Sequence, residues 1–336
     1  MSGRGRGASG NTAPASRLRT NVTSPLLARP GAVPADPPDA GVAAHYGDPY
    51  AEQRRLATGQ ARVDLSHRGV VRIAGPDRLS WLHSLVTQHL TALPTGQSTQ
   101  ALVLSPQGHV EHHLHLIDDG EAVLAHVEPG TAGALVDFLD RMRFLLQVEV
   151  SDVTSSYAVV ADPAPRLVPR TDVAAHDAPL AGVMAYEALR VAGRSPRLGL
   201  DTDHRTIPHE VGWLGSAVHM DKGCYRGQET VARVHNLGRP PRRLVLLHLD
   251  GSDSELPAAG DDVTLDGRTV GRVGTAVRHY ELGPIALALV KRQVPDEAAL
   301  TAGTVAARVD PEPADEAPLS PARQAAAARE RLMRLR

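Results

Sequence analysis

Residues 69–96 read GVVRIAGPDRLSWLHSLVTQHLTALPTG, and their reading decides the fold class. Val70, Val71 and Ile73 supply the β-branched side chains of a strand. Gly75, Pro76 and Asp77 break it, after which Leu79, Leu82, Leu85 and Val86 recur at helical spacing. The next run, QALVLSPQGHVEHHLHLIDDGEAVLAHV at 100–127, reads as a three-stranded meander turning at SPQG and DDGE. A helix is expected over 133–143, with Leu135, Leu139 and Met142 on one stripe, and VEVSDVTSSYAVVAD at 148–162 supplies two more strands. Strand, helix, strands, helix, strands is the order of an α+β domain with helices packed on an antiparallel sheet.

Working outward, residues 1–40 are rich in Gly, Pro, Ala and Arg without periodicity, the composition of a disordered arm. Residues 41–239 form the α+β domain. Beyond it, RRLVLLHL, DDVTLDGRTVGRVGTAV and IALALVKRQV are short strands with a hairpin turn at Asp266-Gly267, and they predict a small β-barrel over 240–295. Residues 296–336 read as a linker and a basic, Ala/Arg-rich tail.

Composition narrows the function class. A net charge of −2 argues against bulk electrostatic binding of nucleic acid, so no direct nucleic-acid contact is expected. No run of 18 apolar residues predicts a membrane span, and the N-terminal twenty residues lack the apolar core of a secretory signal. A single cysteine cannot form an internal disulfide, and a cytoplasmic location is the expectation. Lysine occurs only at 222 and 291, the other basic residues being arginine. A lysine retained in such a chain is more apt to be there for its own chemistry.

The one cysteine lies in HMDKGCYRGQET at 219–230. Lys222 and Arg226 flank the thiol, and nearby cations favour thiolate, the nucleophilic and metal-binding form. Gly223 and Gly227 permit a tight or left-handed backbone, and Gln228 and Glu229 open the next element. Residue type alone leaves a turn with an incidental cysteine as an equal alternative. A second cluster, HVEHHLHL at 109–116, puts His109, Glu111, His113 and His115 on one strand face and Val110, His112, Leu114 and Leu116 on the other. The first face is expected to line a cavity or meet solvent. Metal binding there lacks a second, distant ligand pair.

KGCYRGQE at 222–229 resembles the signature of the YgfZ-type folate-binding proteins, relatives of the glycine-cleavage T-protein aminomethyltransferases that are associated with iron–sulfur cluster maturation and repair. The similarity extends through VRIAGPDRLSWLHSLVTQHLTALPTGQ at 71–97, YEALRVAGRSPRLGLDTDHRTIPHEVGW at 186–213 and VGRVGTAVRHYELGPIALALVKR at 270–292. The resemblance implies a T-protein-like folate-binding fold, with interwoven ferredoxin-like subdomains and a C-terminal β-barrel around a central folate cavity.

It further implies a folate-binding accessory protein in assembly or repair of iron–sulfur enzymes, linked in the family to tRNA modification. Tetrahydrofolate or another reduced folate would be its cofactor, and iron–sulfur client or carrier proteins its transient partners. Cys224 and Lys222 are the candidate chemical residues. Gly223, Tyr225, Arg226, Gly227, Gln228, Glu229, His112, His113, Arg190 and Arg233 are the candidate cofactor contacts, with Arg194 a further candidate for the glutamate tail. Paired aspartates of the aminomethyltransferases correspond here to His112 and His113, and a further acid corresponds to Ala192, so glycine-cleavage chemistry is not expected. One thiol cannot hold a stable iron–sulfur cluster alone. The alternative is a folate-dependent one-carbon transferase with an unknown acceptor.

Overall fold

The computed structural model describes residues 23–311, apart from 163, 176–177 and 253–254. The chain enters through a short ribbon, β1 (Val33–Pro34) and β2 (Ala43–His45), then helix α1 (Pro49–Ala57), whose start is capped by the Asp48 carboxylate accepting from Tyr50 N and Ala51 N. Strand β3 (Arg62–Asp64) and strand β4 (Gly69–Ala74) follow, then α2 (Arg78–Leu85), β5 (Ser98–Leu104), β6 (Val110–Asp118), β7 (Ala122–Val127), α3 (Ala132–Met142) and β8 (Glu149–Asp152). After them come β9 (Tyr157–Ala161), β10 (Pro165–Pro169), β11 (Leu180–Ala181), α4 (Val183–Ala192) and α5 (Gln228–Leu237). The remaining strands are β12 (Arg242–Leu249), β13 (Asp262–Leu265), β14 (Arg268–His279), β15 (Gly283–Lys291), β16 (Ala299–Ala302) and β17 (Val305–Asp310).

Strands β5-β6-β7-β4-β8 form one antiparallel sheet, inserted in sequence between β3 and β9 of a second, β10-β9-β3-β11. That insertion interweaves the two subdomains. The residues that suggested the first sheet build its core. Val71 and Ile73 of β4 meet Trp81, Leu82 and Val86 at α2 and Leu135 and Leu139 of α3, all buried. Each such aliphatic side chain contributes ~1.5–3 kcal/mol. Met142, expected on the same stripe, is instead exposed at the end of α3. The second sheet buries Val63 and Val159 with Leu56 of α1 and Val183 and Ala185 of α4.

The C-terminal strands close into a barrel in the order β12-β15-β14-β13-β16-β17. The β13–β14 turn has positive φ at both Asp266 (49°) and Gly267 (74°), as a two-residue hairpin loop requires. The barrel does not stop at 295. Strands β16 and β17 are needed to return the sheet to β12, so the part of the expected linker at 299–310 belongs to the barrel wall.

The expected disordered arm also needs correction. Its residues 1–22, like the tail beyond 311, lie outside the described residues. Residues 24–40 pack: Leu26 is buried with Val160 and Val168, Ser24 donates to the Asp64 carboxylate, and Asp39 lies in a buried ion-pair network. A short segment with few apolar residues can dock by polar contacts, which hydrophobic periodicity does not register.

Candidate functional site

The segment carrying the cysteine is pinned before it reaches the thiol. Thr87, buried just beyond α2, accepts from Leu102 N at 2.8 Å and donates to Ala217 O at 2.6 Å, while its carbonyl accepts from His219 N at 3.0 Å. Lys222 enters the same seam. Its ammonium donates to Val86 O at 2.6 Å and to His83 O, and lies 5.0 Å from the Tyr225 ring centroid. The last carbonyls of a helix lack partners and carry its negative dipole end, so a buried cation is well placed there. Burial lowers the Lys222 pKa to about 8. The ammonium thus holds the loop to α2.

Gly227 closes the loop as the residue preceding α5, with φ of 81°. A Cβ there would stand 2.6 Å from Ser105 O and 3.0 Å from Gly108 Cα, and one on Gly108 (φ 82°) would stand 2.7 Å from Thr230 Cβ. Two left-handed glycines therefore let the cysteine loop lie backbone to backbone on the β5–β6 turn. Arg226 forks onto Glu111 of β6 at 3.1 and 3.3 Å, with its guanidinium carbon 5.6 Å from the Phe138 ring centroid. Cys224 lies between these anchors and is exposed.

Behind the loop, Tyr225 and Trp213 join Leu102, Leu104 and Val110 in one apolar cluster that continues into the barrel through Leu246 and Leu287. Trp213 leads to a column of imidazoles. Its ring centroid is 4.5 Å from that of His113, His113 is 4.4 Å from His115, and His115 stacks on His126 of β7 at 4.6 Å with planes 2° apart. His113 Nε2 is 2.9 Å from Gln100 Oε1. Burial holds all three histidines well below the usual imidazole range, and Arg68 adds to the effect, so the column is neutral at pH 7. His113 and His115 of that β6 face therefore look into the interior, while Glu111 is exposed.

The charges below the column neutralise one another. Arg68 lies 3.7 Å from Glu128 and over the Tyr186 ring, and Glu128 also pairs with Arg197 at 2.7 Å. Arg197 in turn holds Asp39 at 2.8 Å and Glu187 at 3.0 Å. Two buried atoms in this interior, His126 Nδ1 and Arg68 Nε, have no hydrogen-bond partner in the protein. Among the described residues no group of three or more His, Cys, Asp or Glu is arranged to hold a metal ion.

Residues 242–319 match the CAF17 C-terminal beta-barrel domain family. The chain is 24% identical to the tRNA-modifying protein YgfZ of Photorhabdus laumondii, over 70% of this chain and 86% of that protein. It is 27% identical to an iron-sulfur cluster assembly factor IBA57 homolog, mitochondrial, of Mycosarcoma maydis, over 59% of each chain. With a chloroplastic Arabidopsis thaliana protein named as a transferase it shares 25% identity, over 64% of this chain and 61% of that one. The glycine cleavage system aminomethyltransferase T of Bartonella henselae has the same fold, with a TM-score of 0.70 and 17% identity over 86% of this chain and 95% of that one. The chain is therefore similar to proteins of the YgfZ and IBA57 type, and it shares its fold with the aminomethyltransferase. It spans about three fifths of the Arabidopsis and Mycosarcoma relatives. Among the described residues no helix is long and apolar enough to cross a membrane.

The structure distributes the residues expected at the site unevenly. The 222–229 motif is continuous, with Gln228 and Glu229 opening α5 as anticipated. Lys222, anticipated as a cation for the thiol, commits its ammonium to α2. Gly223 has no atom within 4 Å of a would-be Cβ and no positive φ, so nothing in its surroundings demands glycine. His112 and His113 face opposite sides of β6: His113 joins the column, whereas His112 lies 6.2 Å from Phe138, its pKa lowered to about 4 by burial. Arg190 leaves the set of ligand contacts. Its three nitrogens donate to Glu187, Asp201, Ser195 O and Thr275 Oγ1, which joins α4 to β14 and leaves no donor for a folate tail. Arg194 bonds the Asp310 carboxylate at 2.8 Å. Arg233 is exposed on α5. Thr87, Arg68, Gln100, His126, Glu128 and Trp213 were not anticipated. Of these only Trp213 and His126 carried a signal, being chemically distinctive residues within runs already singled out.

Proposed function

We propose that this chain is a folate-binding accessory protein in the assembly or repair of iron–sulfur enzymes, acting through bound tetrahydrofolate and the Cys224 thiol. The observation that carries the reading is the exposed cysteine on a loop clamped between α2 and the β5–β6 turn, with a neutral polar interior behind it. The relatives named for iron–sulfur cluster assembly and tRNA modification support the same reading.

The interior suits a pterin on two counts. His126 Nδ1 and Arg68 Nε are buried polar atoms without a protein partner, and Trp213 and the imidazoles provide flat surfaces. Gln100, His113, His126 and Arg68 would hold the ring, and Arg233 remains a candidate for the glutamate tail. A reduced folate, when bound, would supply a one-carbon carrier. The resemblance sets His112 and His113 where the aminomethyltransferases carry aspartates, and of the two only His113 faces the column, so a neutral imidazole would orient the ring without a carboxylate there. Cys224 would meet the iron–sulfur cargo at the surface, where a partner must provide the other ligands.

Tetrahydrofolate titration, followed by calorimetry and melting, tests the cofactor half. At a hundredfold excess over Kd, mass action raises stability by about 2.7 kcal/mol. Absence of both heat and a thermal shift would overturn it. Cys224→Ala tests the other half: an exposed side chain contributes little packing, so the variant should melt like the wild type yet fail to restore iron–sulfur enzyme activity in a deletion strain. Full restoration by a stable variant would refute a role for the sulfur.

A further inference from the structure

The second sheet contains a group of buried donors that neither the cysteine loop nor the imidazole column uses. Arg62, on β3, is 2% exposed, and its Nη2 donates to Val173 O at 2.7 Å. Its Nε and Nη1 are buried with no partner. Arg170, in the turn after β10, donates through Nε to Thr154 O at 3.0 Å and through Nη2 to Ser66 O at 2.8 Å, leaving Nη1 buried and unpaired. The fully buried Ser66 Oγ and the Tyr46 hydroxyl are unpaired as well.

These groups share a neighbourhood. Arg62 and Asp64 stand two residues apart on one face of β3, Ser66 N donates to Asp64 Oδ1 at 2.8 Å, and Arg170 is bonded to the Ser66 carbonyl. Burial lowers the pKa of both arginines, opposed at Arg62 by Asp162 and then Asp64 and at Arg170 by Asp64, and burial, Asp64 and Glu52 raise that of Tyr46. The available carboxylates are already engaged. Asp64 accepts from Ser24 Oγ and Ser66 N, Glu52 accepts from Tyr46 N at 2.7 Å and Gly182 N at 2.8 Å, and Asp162 is forked by Arg166. Arg29 adds a further cation near Tyr46. Unused N–H and O–H donors therefore accumulate where apolar packing or direct pairing would be the norm, while the buried carboxylates Asp64 and Glu52 balance the charge of the two arginines.

We propose that Arg62, Arg170, Ser66 and Tyr46 form a buried binding site for a small tetrahedral oxoanion of the phosphate or sulfate class. Guanidinium and hydroxyl donors suit such an anion, which can accept several hydrogen bonds at once. The entry segment forms one wall, since Ser24 and Tyr46 both belong to it, so the anion ties that segment to β3. The site is separate from Cys224 and does not rest on the folate reading.

Titration of the full chain with inorganic phosphate, against chloride at matched ionic strength, tests the proposal by calorimetry and melting temperature. The expected result is saturable heat with a saturable rise in melting temperature. Arg170→Gln should weaken phosphate binding about tenfold, Ser66→Ala a few-fold, and Arg62→Met should abolish it. Without phosphate, Arg62→Met should melt close to the wild type, because loss of the bond to Val173 O is offset by removal of two unpaired buried donors. A glycerol phosphate arm distinguishes a free anion from the end of a larger molecule: binding of inorganic phosphate alone is expected at a site beneath the entry segment. A response to phosphate no different from chloride overturns the proposal, as does wild-type phosphate binding in any of these variants that folds. Should Arg62→Met fail to fold, half-buried Arg170 and the small Ser66 change still decide it.

Discussion

Gly223 and Gly227 stand four positions apart in the same motif, yet they meet different demands. Gly227 needs its left-handed backbone and the space of its missing Cβ, while Gly223 needs neither. Gly227→Ala should therefore cost on the order of 2 kcal/mol or more, from αL strain alone before the contact with Ser105 O is counted. Gly223→Ala should change stability by less than about 0.5 kcal/mol, the ordinary range of surface substitutions. Denaturant unfolding of the two variants checks the pair, and equal losses would show that the loop is not seated on the β5–β6 turn as described.

Strands β6 and β7 carry a consequence at the scale of the element. His112, His113, His115 and His126 all have folded-state pKa values below the unfolded imidazole value, that of His112 being about 4. Between the folded and unfolded values the native state binds fewer protons than the unfolded one. Stability is thus fully present above about pH 6.5 and is lost as the pH falls toward 4 and below. Replacing His115→Phe, which keeps the stacking shape and removes one titration, should make the acid limb of the melting-temperature profile shallower. An unchanged limb would mean that the column does not govern acid unfolding.

The whole molecule is joined by polar ties between its parts. Arg197 gathers Asp39 from the entry segment, Glu128 from the end of β7 and Glu187 from α4, while Arg190 carries the link on to the barrel. Burial is outweighed by the hydrogen bonds of His67 and Arg197, so the Asp39 carboxyl is held below the usual carboxylate range. Asp39→Ala should cost about 3–5 kcal/mol, because it strips one partner from a buried pair. Deleting residues 1–40 should lower the melting temperature further by removing Leu26 and Ser24 as well. A truncated protein that melts with the wild type would show that the entry segment is dispensable. Ending the chain at 295 should leave β12 and β13 as open barrel edges and yield aggregated protein, detected by size-exclusion chromatography.

Local chemistry was enough to read the α+β order, the hairpin at Asp266-Gly267 and the start of α5 after Gly227. Each depends on side-chain period or on backbone freedom within a few residues, and both are written along the chain. The KGCYRGQE run likewise marked the surface loop through residue types alone. What Lys222 and Arg190 do was not legible in that way. An ammonium beside a thiol in sequence is bonded to carbonyls of a helix some 140 residues earlier, and an arginine suited to an anionic tail is consumed by α4 and the barrel. The docking of the entry segment was not legible for the same reason. Its contacts are with partners distant in sequence, and a hydrogen bond or ion pair that closes only when the chain has folded leaves no periodic trace in the segment alone, whereas β17 does alternate, with Val305, Ala307 and Val309 buried.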